Sequence, residues 1–175
     1  METEKELKKL RKKPIIEYPD IKTPLNYSRN EIEKIIPHRK SMLLIDRITG
    51  IDLSESIVTG ERFMDPKDPV FEGHFPDFPV YPGTLQIEMI GQMGLCLYYF
   101  ITNNTTTISG NPSPPEIRAT KVLGAHYLYP VRPGDNVILI AQKLSYDGIF
   151  AQVIGQTIVN DKICSVAVGE VYFPE

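Results

Sequence analysis

Residues 85–101 form a nearly continuous apolar run, and any fold for this chain must bury a helix that is hydrophobic on almost every side. Gln86, Glu88 and Gln92 fall in the first half of the run. A charge at bilayer depth is costly, so the segment reads as a buried helix from about Thr84 to Ile101 and not as a membrane span. What can bury it follows in the chain. Residues 118–129, 137–145, 149–159 and 163–173 are strand-like, and turn formers separate them. Two of the separators, Tyr146-Asp147-Gly148 and Asn160-Asp161-Lys162, have the form of tight hairpin turns. Two further strand-like runs, 42–49 and 55–64, precede the helix and are parted around Gly50 and Asp52. An antiparallel sheet needs one face covered, and this helix alone is long and apolar enough to cover it. The expected fold is α+β, an antiparallel sheet curled around one long central helix.

The chain has 175 residues, enough for one domain. Residues 1–27 read as a basic, proline-containing arm: Lys5, Lys8, Lys9, Arg11, Lys12 and Lys13 form a block, and Pro14, Pro19 and Pro24 prevent a continuous helix. A solvated tail and a contact for an acidic partner are both open for it. The domain is expected over 28–175. It begins at Ser28-Arg29-Asn30-Glu31, which has the form of a capping box ahead of Ile32, Ile35 and Ile36, and Pro37 stops that short helix. Residues 65–83 and 103–116 read as loops. A net charge of −3 gives no electrostatic reason to bind nucleic acid. Cys96 and Cys164 sit in apolar runs and read as small buried hydrophobes, without a disulfide framework. The charged N-terminus has no apolar h-region after it, so a cytoplasmic protein is expected.

Residues 73–84, Gly-His-Phe-Pro-Asp-Phe-Pro-Val-Tyr-Pro-Gly-Thr, form a stiff segment that must place something, and His74 is its one histidine. Gly83 opens the long helix, where unpaired N–H groups and the positive end of the dipole can receive an oxyanion. Glu88 lies in the second turn, and Thr84, Glu88 and Gln92 make one polar stripe at i, i+4, i+8. Burial there is expected to leave Glu88 either paired or held protonated with a raised pKa, and the raised pKa is what an acid role needs. A base, a neutral acid and an oxyanion site suit proton abstraction beside a carbonyl with loss of a β substituent. In that reading His74 accepts the C2 proton, Glu88 protonates the departing hydroxyl and Gly83 N–H polarises the carbonyl. A purely structural role for His74, or for Glu88, stays open at this point. His38, His74 and His126 show no metal-ligand spacing, and no phosphate loop, dinucleotide fingerprint or G-x-S-x-G elbow is present.

Several motifs together carry a resemblance. They are Ile36-Pro37-His38-Arg39, Met42-Leu43-Leu44-Ile45-Asp46-Arg47, Gly73-His74-Phe75-Pro76, Pro79, Pro82-Gly83, Leu85-x-x-Glu88-x-x-x-Gln92 and Pro130-Val131-x-Pro133-Gly134-Asp135. From about residue 28 onward the chain is similar to the β-hydroxyacyl-acyl carrier protein dehydratases of bacterial fatty acid synthesis (FabZ type). The resemblance implies a hot-dog fold, no cofactor, an acyl carrier protein as partner, and a homodimer often assembled as a trimer of dimers. It implies catalytic His74 and Glu88 contributed by different subunits, Gly83 as amide donor, the Val80 carbonyl as the group that orients His74, and Gln92 in support. A two-fold contact is then expected along the helix, where Gly91 and Gly94 would allow close approach. Glu88 and Gly73, where the related dehydratase–isomerases have Asp and Cys, favour dehydration without isomerisation.

Three departures from the family pattern stand out. His126-Tyr127-Leu128-Tyr129 replaces a basic docking stretch, Arg118-Ala119 replaces an aromatic pair that gates the acyl tunnel, and Phe78 stands where Lys or a small residue is common. Phe78, Tyr81, Arg118 and Arg132 are the expected tunnel or docking residues. A hot-dog acyl thioesterase and a non-catalytic acyl-carrier-binding subunit are the competing functions.

Overall fold

A computed structural model describes residues 2–18 and 20–174; Pro19, one of the three prolines expected to interrupt the arm, lies outside the described residues. The elements in chain order are α1 (Glu2–Leu10), β1 (Thr23–Ser28), α2 (Arg29–Ile35), a 3-10 turn (Lys40–Met42), β2 (Arg47–Asp52), β3 (Ile57–Phe63), the one-turn α3 (Val70–Gly73), α4 (Gly83–Thr102), β4 (Arg118–Tyr127), β5 (Asn136–Tyr146), β6 (Phe150–Val159) and β7 (Lys162–Tyr172). The seven strands form one antiparallel sheet in the order β1-β2-β3-β5-β6-β7-β4. This is the hot-dog arrangement, with α4 lying along β3, β5, β6 and β7.

The helix and sheet approach closely because each gives way where the other is bulky. Met89, Met93, Cys96 and Phe100 recur along α4 at spacings of three and four and are fully buried. A Cβ at Gly155 of β6 would lie 2.5 Å from Ile90, and one at Gly94 would lie 2.9 Å from Val153. Gly94 therefore serves the helix's own sheet and not a partner, whereas Gly91 faces open space. No described helix is long and apolar enough to cross a membrane.

The expected strand over 42–49 begins only at Arg47. Residues 43–45 are buried in irregular backbone, and the reason is Gln92 of α4. Its side chain accepts from Leu44 N (2.8 Å) and donates to Met42 O (2.8 Å). Backbone groups satisfied by a side chain do not need a strand partner. The strand expected over 118–129 likewise ends at Tyr127, where Leu128 N and Tyr129 N both turn onto Cys164 O. Both cysteines are free and buried, and burial pushes the Cys164 thiol up to about 11.

The arm is not a solvated tail. Leu7 and Leu10 of α1 are buried against Ile154, Val166 and Val168, on the face of the sheet opposite α4. Gln156, fully buried beneath it, donates to Leu10 O and Lys13 O and accepts from Ile15 N. Further on, β1 pairs with β2, so the boundary drawn between residues 27 and 28 falls within a strand. The capping box forms as expected, with Ser28 N and its hydroxyl both on the Glu31 carboxylate.

Candidate active site

The histidine is placed by a short, heavily bonded loop. His74 N closes the α3 turn onto Val70 O (3.1 Å), and Val80 N returns to His74 O (2.9 Å). Phe75 and Phe78 exchange backbone hydrogen bonds between these anchors, and Tyr81 N ties the loop to Val131 O (2.7 Å). The His74–Phe75 peptide is cis, and the two rings stack with centroids 4.2 Å apart. His74 Nδ1 lies 2.8 Å from Val80 O. A carbonyl can only accept, so Nδ1 carries the hydrogen and Nε2 is left with its lone pair free to take a proton.

Beside it, α4 starts at Gly83 directly after Pro82. Leu85 N and Gln86 N bond to Pro82 O, but the N–H groups of Gly83 and Thr84 lie ahead of the first intrahelical bonds. The ring of Tyr127, from the end of β4, packs onto Gly83 so closely that a Cβ there would sit 2.5 Å from it. His74, Val80, Gly83, Tyr127 and Tyr129 line a cleft of about 410 Å³. Gln86 also lines it, and from its buried position accepts from Thr157 (2.9 Å), whose hydroxyl meets that of Ser165 (2.7 Å).

Glu88 does not line this cleft. Five residues of helix turn it about 140° around the axis from Gly83. There it meets Gln92 Nε2 at 2.9 Å and His38 Nε2 at 3.1 Å, both on Oε1. The His38 bond, with help from Gln92, holds the Glu88 carboxyl below its ordinary value, against desolvation that pushes the other way. This corrects the expectation of a raised pKa. The sequence shows burial on an apolar helix, but not the histidine that arrives from the loop after α2. Among the described residues no hydrogen bond or ion pair joins His74 to Glu88, and the two side chains have separate partners.

Of the remaining candidates Tyr81 lines the His74 cleft, and Phe78, Arg118 and Arg132 do not. Phe78 is 55% exposed, with the Arg132 guanidinium 5.3 Å from its ring centre, at the rim near His74. Tyr81 is buried against Phe71, with Arg62 over its ring. Arg118 lies at the far end of β4 from Tyr127, where it shares a groove with Pro37 and Ile117 next to His38. The sequence motifs include Tyr127 and His38 but gave neither a place beside Gly83 or Glu88. The available signal for His38 was its position directly after the helix-stopping Pro37, which aims a polar ring at α4.

Residues 36–167 match the model of a family described as the FabA-like domain. A 3-hydroxyacyl-[acyl-carrier-protein] dehydratase FabZ of Sulfurovum sp. is 35% identical over 143 residues, covering 78% of this chain and 90% of that protein. The FabZ of Helicobacter pylori is 34% identical over 142 residues, covering 78% and 84%. Among solved structures, the dehydratase heterocomplex ApeI:P from Xenorhabdus doucetiae superposes with a TM-score of 0.64 at 15% identity, covering 82% of this chain and 91% of that one. A thioesterase from Haemophilus influenzae superposes with a TM-score of 0.53 at 14% identity, covering 77% and 81%. At these identities the structural likeness establishes the fold alone.

Proposed function

This chain belongs to the FabA-like domain family, with FabZ dehydratases among its relatives, and on that premise we propose that it removes water from a 3-hydroxyacyl-acyl carrier protein to give the trans-2-enoyl thioester. The observation that carries the reading is the His74 geometry: Nδ1 held at 2.8 Å by Val80 O, Nε2 free, in a cleft that also contains the start of α4. The thioester carbonyl fits against Gly83 N–H, which lowers the cost of charge developing on its oxygen. His74 Nε2 then takes the C2 proton, Glu88 gives a proton to the C3 hydroxyl, and the C–O bond breaks. Proton transfers and one bond cleavage complete the reaction.

The site needs Glu88 from a second copy, and β4 supports that arrangement. It is an edge strand whose outer side has no partner among the described residues, and it exposes Val122 and Leu123. Antiparallel pairing of two such edges about a two-fold axis sets the Arg118 end of one against the Tyr127 end of the other. Tyr127 sits on Gly83 in the His74 cleft, and Arg118 shares a groove with Pro37, the residue before the His38 that meets Glu88. The same pairing covers a Glu88 side chain that is 37% exposed in one chain. Further desolvation raises its pKa and makes it a better-populated acid. A homodimer, assembled further as a trimer of dimers in the cytoplasm, is the proposed working form. Phe78, Tyr81, Arg118 and Arg132 are proposed for the tunnel and the docking rim.

The test is incubation of the purified protein with 3-hydroxyacyl-carrier thioesters of several lengths, followed by mass spectrometry. Loss of one water is the expected result. Release of the free acid would replace the dehydratase by a thioesterase, and an unchanged substrate that still binds would leave a non-catalytic carrier-binding subunit.

A further inference from the structure

His74 is aimed by one backbone carbonyl, and the acid half of the site needs an equivalent device. Glu88 Oε1 receives two N–H groups, one from Gln92 and one from His38, while no hydrogen bond reaches Oε2 among the described residues. Gln92 is itself locked. Its two amide hydrogens go to Met42 O and Glu88, and its oxygen accepts from Leu44 N. His38 is locked differently. Its Nδ1 is buried with no partner, so Glu88 is the acceptor in reach of the ring, and a neutral ring carries its single hydrogen on Nε2. Arg39 folds back onto the carbonyls of Ile36 and His38, both at 2.7 Å, and pins the backbone that presents the ring.

We infer that His38 is a positioning residue for Glu88, holding Oε1 together with Gln92 so that the acid proton resides on Oε2 and leaves from there. A carboxylic acid has one carbonyl-like and one hydroxyl oxygen, and the oxygen that already accepts two hydrogen bonds is the carbonyl-like one. As Oε2–H passes its proton to the C3 hydroxyl, the C3–O pair departs with water and the C2–H pair becomes the double bond. The C2 proton ends on His74 Nε2. Negative charge then develops on a carboxylate whose other oxygen already faces two fixed donors. The resting state returns when His74 releases its proton and Glu88 regains one from solvent. The inference rests on the dehydratase reading above.

The His38 bond is also the largest influence lowering the Glu88 pKa. Its removal leaves more Glu88 protonated but unaimed, so a fall in kcat would report position and not proton supply. Two substrates separate this role from a general loosening of the site, a 3-hydroxyacyl thioester and its 3-fluoro analogue, whose leaving group departs without a full proton. For His38→Leu, kcat on the hydroxyl substrate should fall about 10²-fold with KM little changed, the size of a positioned acid's contribution. On the fluoro substrate the fall should stay within about tenfold, and His38→Gln, which keeps an N–H at similar reach, should restore the hydroxyl reaction to within about tenfold of the parent. If His38→Leu does not fold, His38→Asn, polar but too short to reach Oε1, carries the same expectations. Equal losses on the two substrates, an unimpaired His38→Leu, or no rescue by His38→Gln would overturn the inference while leaving the dehydratase reading intact. A parent protein that eliminates neither water from the hydroxyl substrate nor fluoride from its analogue would bring down both.

Discussion

With Nδ1 bonded to Val80 O, the His74 ring has no other hydrogen bond among the described residues to break before Nε2 can accept a proton. The ring is half-buried, and the backbone bonds on either side of it hold the loop without it. His74→Ala should therefore remove roughly 10²–10⁴-fold of turnover, the usual worth of a positioned base, with little change in melting temperature. Full activity in a folded His74→Ala protein would end its assignment as the base. Glu88 allows a test through stability instead. Within one chain its folded pKa lies below the ordinary glutamate value, so ionised Glu88 contributes stability that is fully present above that value. The contribution is lost as pH falls through the depressed folded pKa. Between about pH 6 and about pH 3.5 the melting temperature of the parent should drop more than that of Glu88→Gln, which has nothing to titrate there. Equal slopes would mean that His38 does not stabilise the carboxylate in solution.

At the level of elements, what could be read from the chain was whatever short-range chemistry decides. The hairpins at Gly148 and at Asn160-Asp161 show the positive φ angles that those residue types announce, and β5, β6 and β7 fall within a residue or two of the expected bounds. The start of β2 and the fate of the arm were hidden, because each is decided by a partner far away in sequence. Gln92 takes the backbone at Met42 and Leu44 out of the sheet, and Gln156 captures the carbonyls of Leu10 and Lys13 more than a hundred residues distant. Leu7 and Leu10 are too few for a periodicity argument, and the apolar face that covers them belongs to β6 and β7. Gln156→Ala should leave Leu10 O, Lys13 O and Ile15 N without their partner at a buried position, costing roughly 1–3 kcal/mol in urea unfolding. Protection of the amides of α1 against hydrogen exchange should fall with it. An unchanged unfolding midpoint would show that water replaces those bonds at no cost and that α1 is held by its leucines alone.

In the whole molecule, the two chemical groups that stand fourteen residues apart in the sequence are sent to different sides of one helix, and this limits how far the site can be read from the chain. His74 and Gly83 were legible as neighbours because a stiff loop leads directly into the helix start. The partner of Glu88 was not, because nothing in the local pattern says that His38 reaches it from before β2. The proposed site makes a definite claim about subunits. If β4 edges pair antiparallel, each dimer holds two sites, each built from the His74 cleft of one chain and the Glu88 half-site of the other. His74→Ala and Glu88→Ala chains, each inactive alone, should then complement one another. Random assembly makes about half of the dimers mixed, and a mixed dimer has one intact site and one doubly damaged site. Activity should recover to about a quarter of the parent's, half the dimers times half of their sites. If both residues served their own chain, every site in the mixture would lack one of them and nothing would recover. The decisive sample is one in which native mass spectrometry, on chains of distinguishable mass, shows mixed dimers to be present. Silence from that sample would place His74 and Glu88 in the same chain's site and remove the role given to the β4 edge.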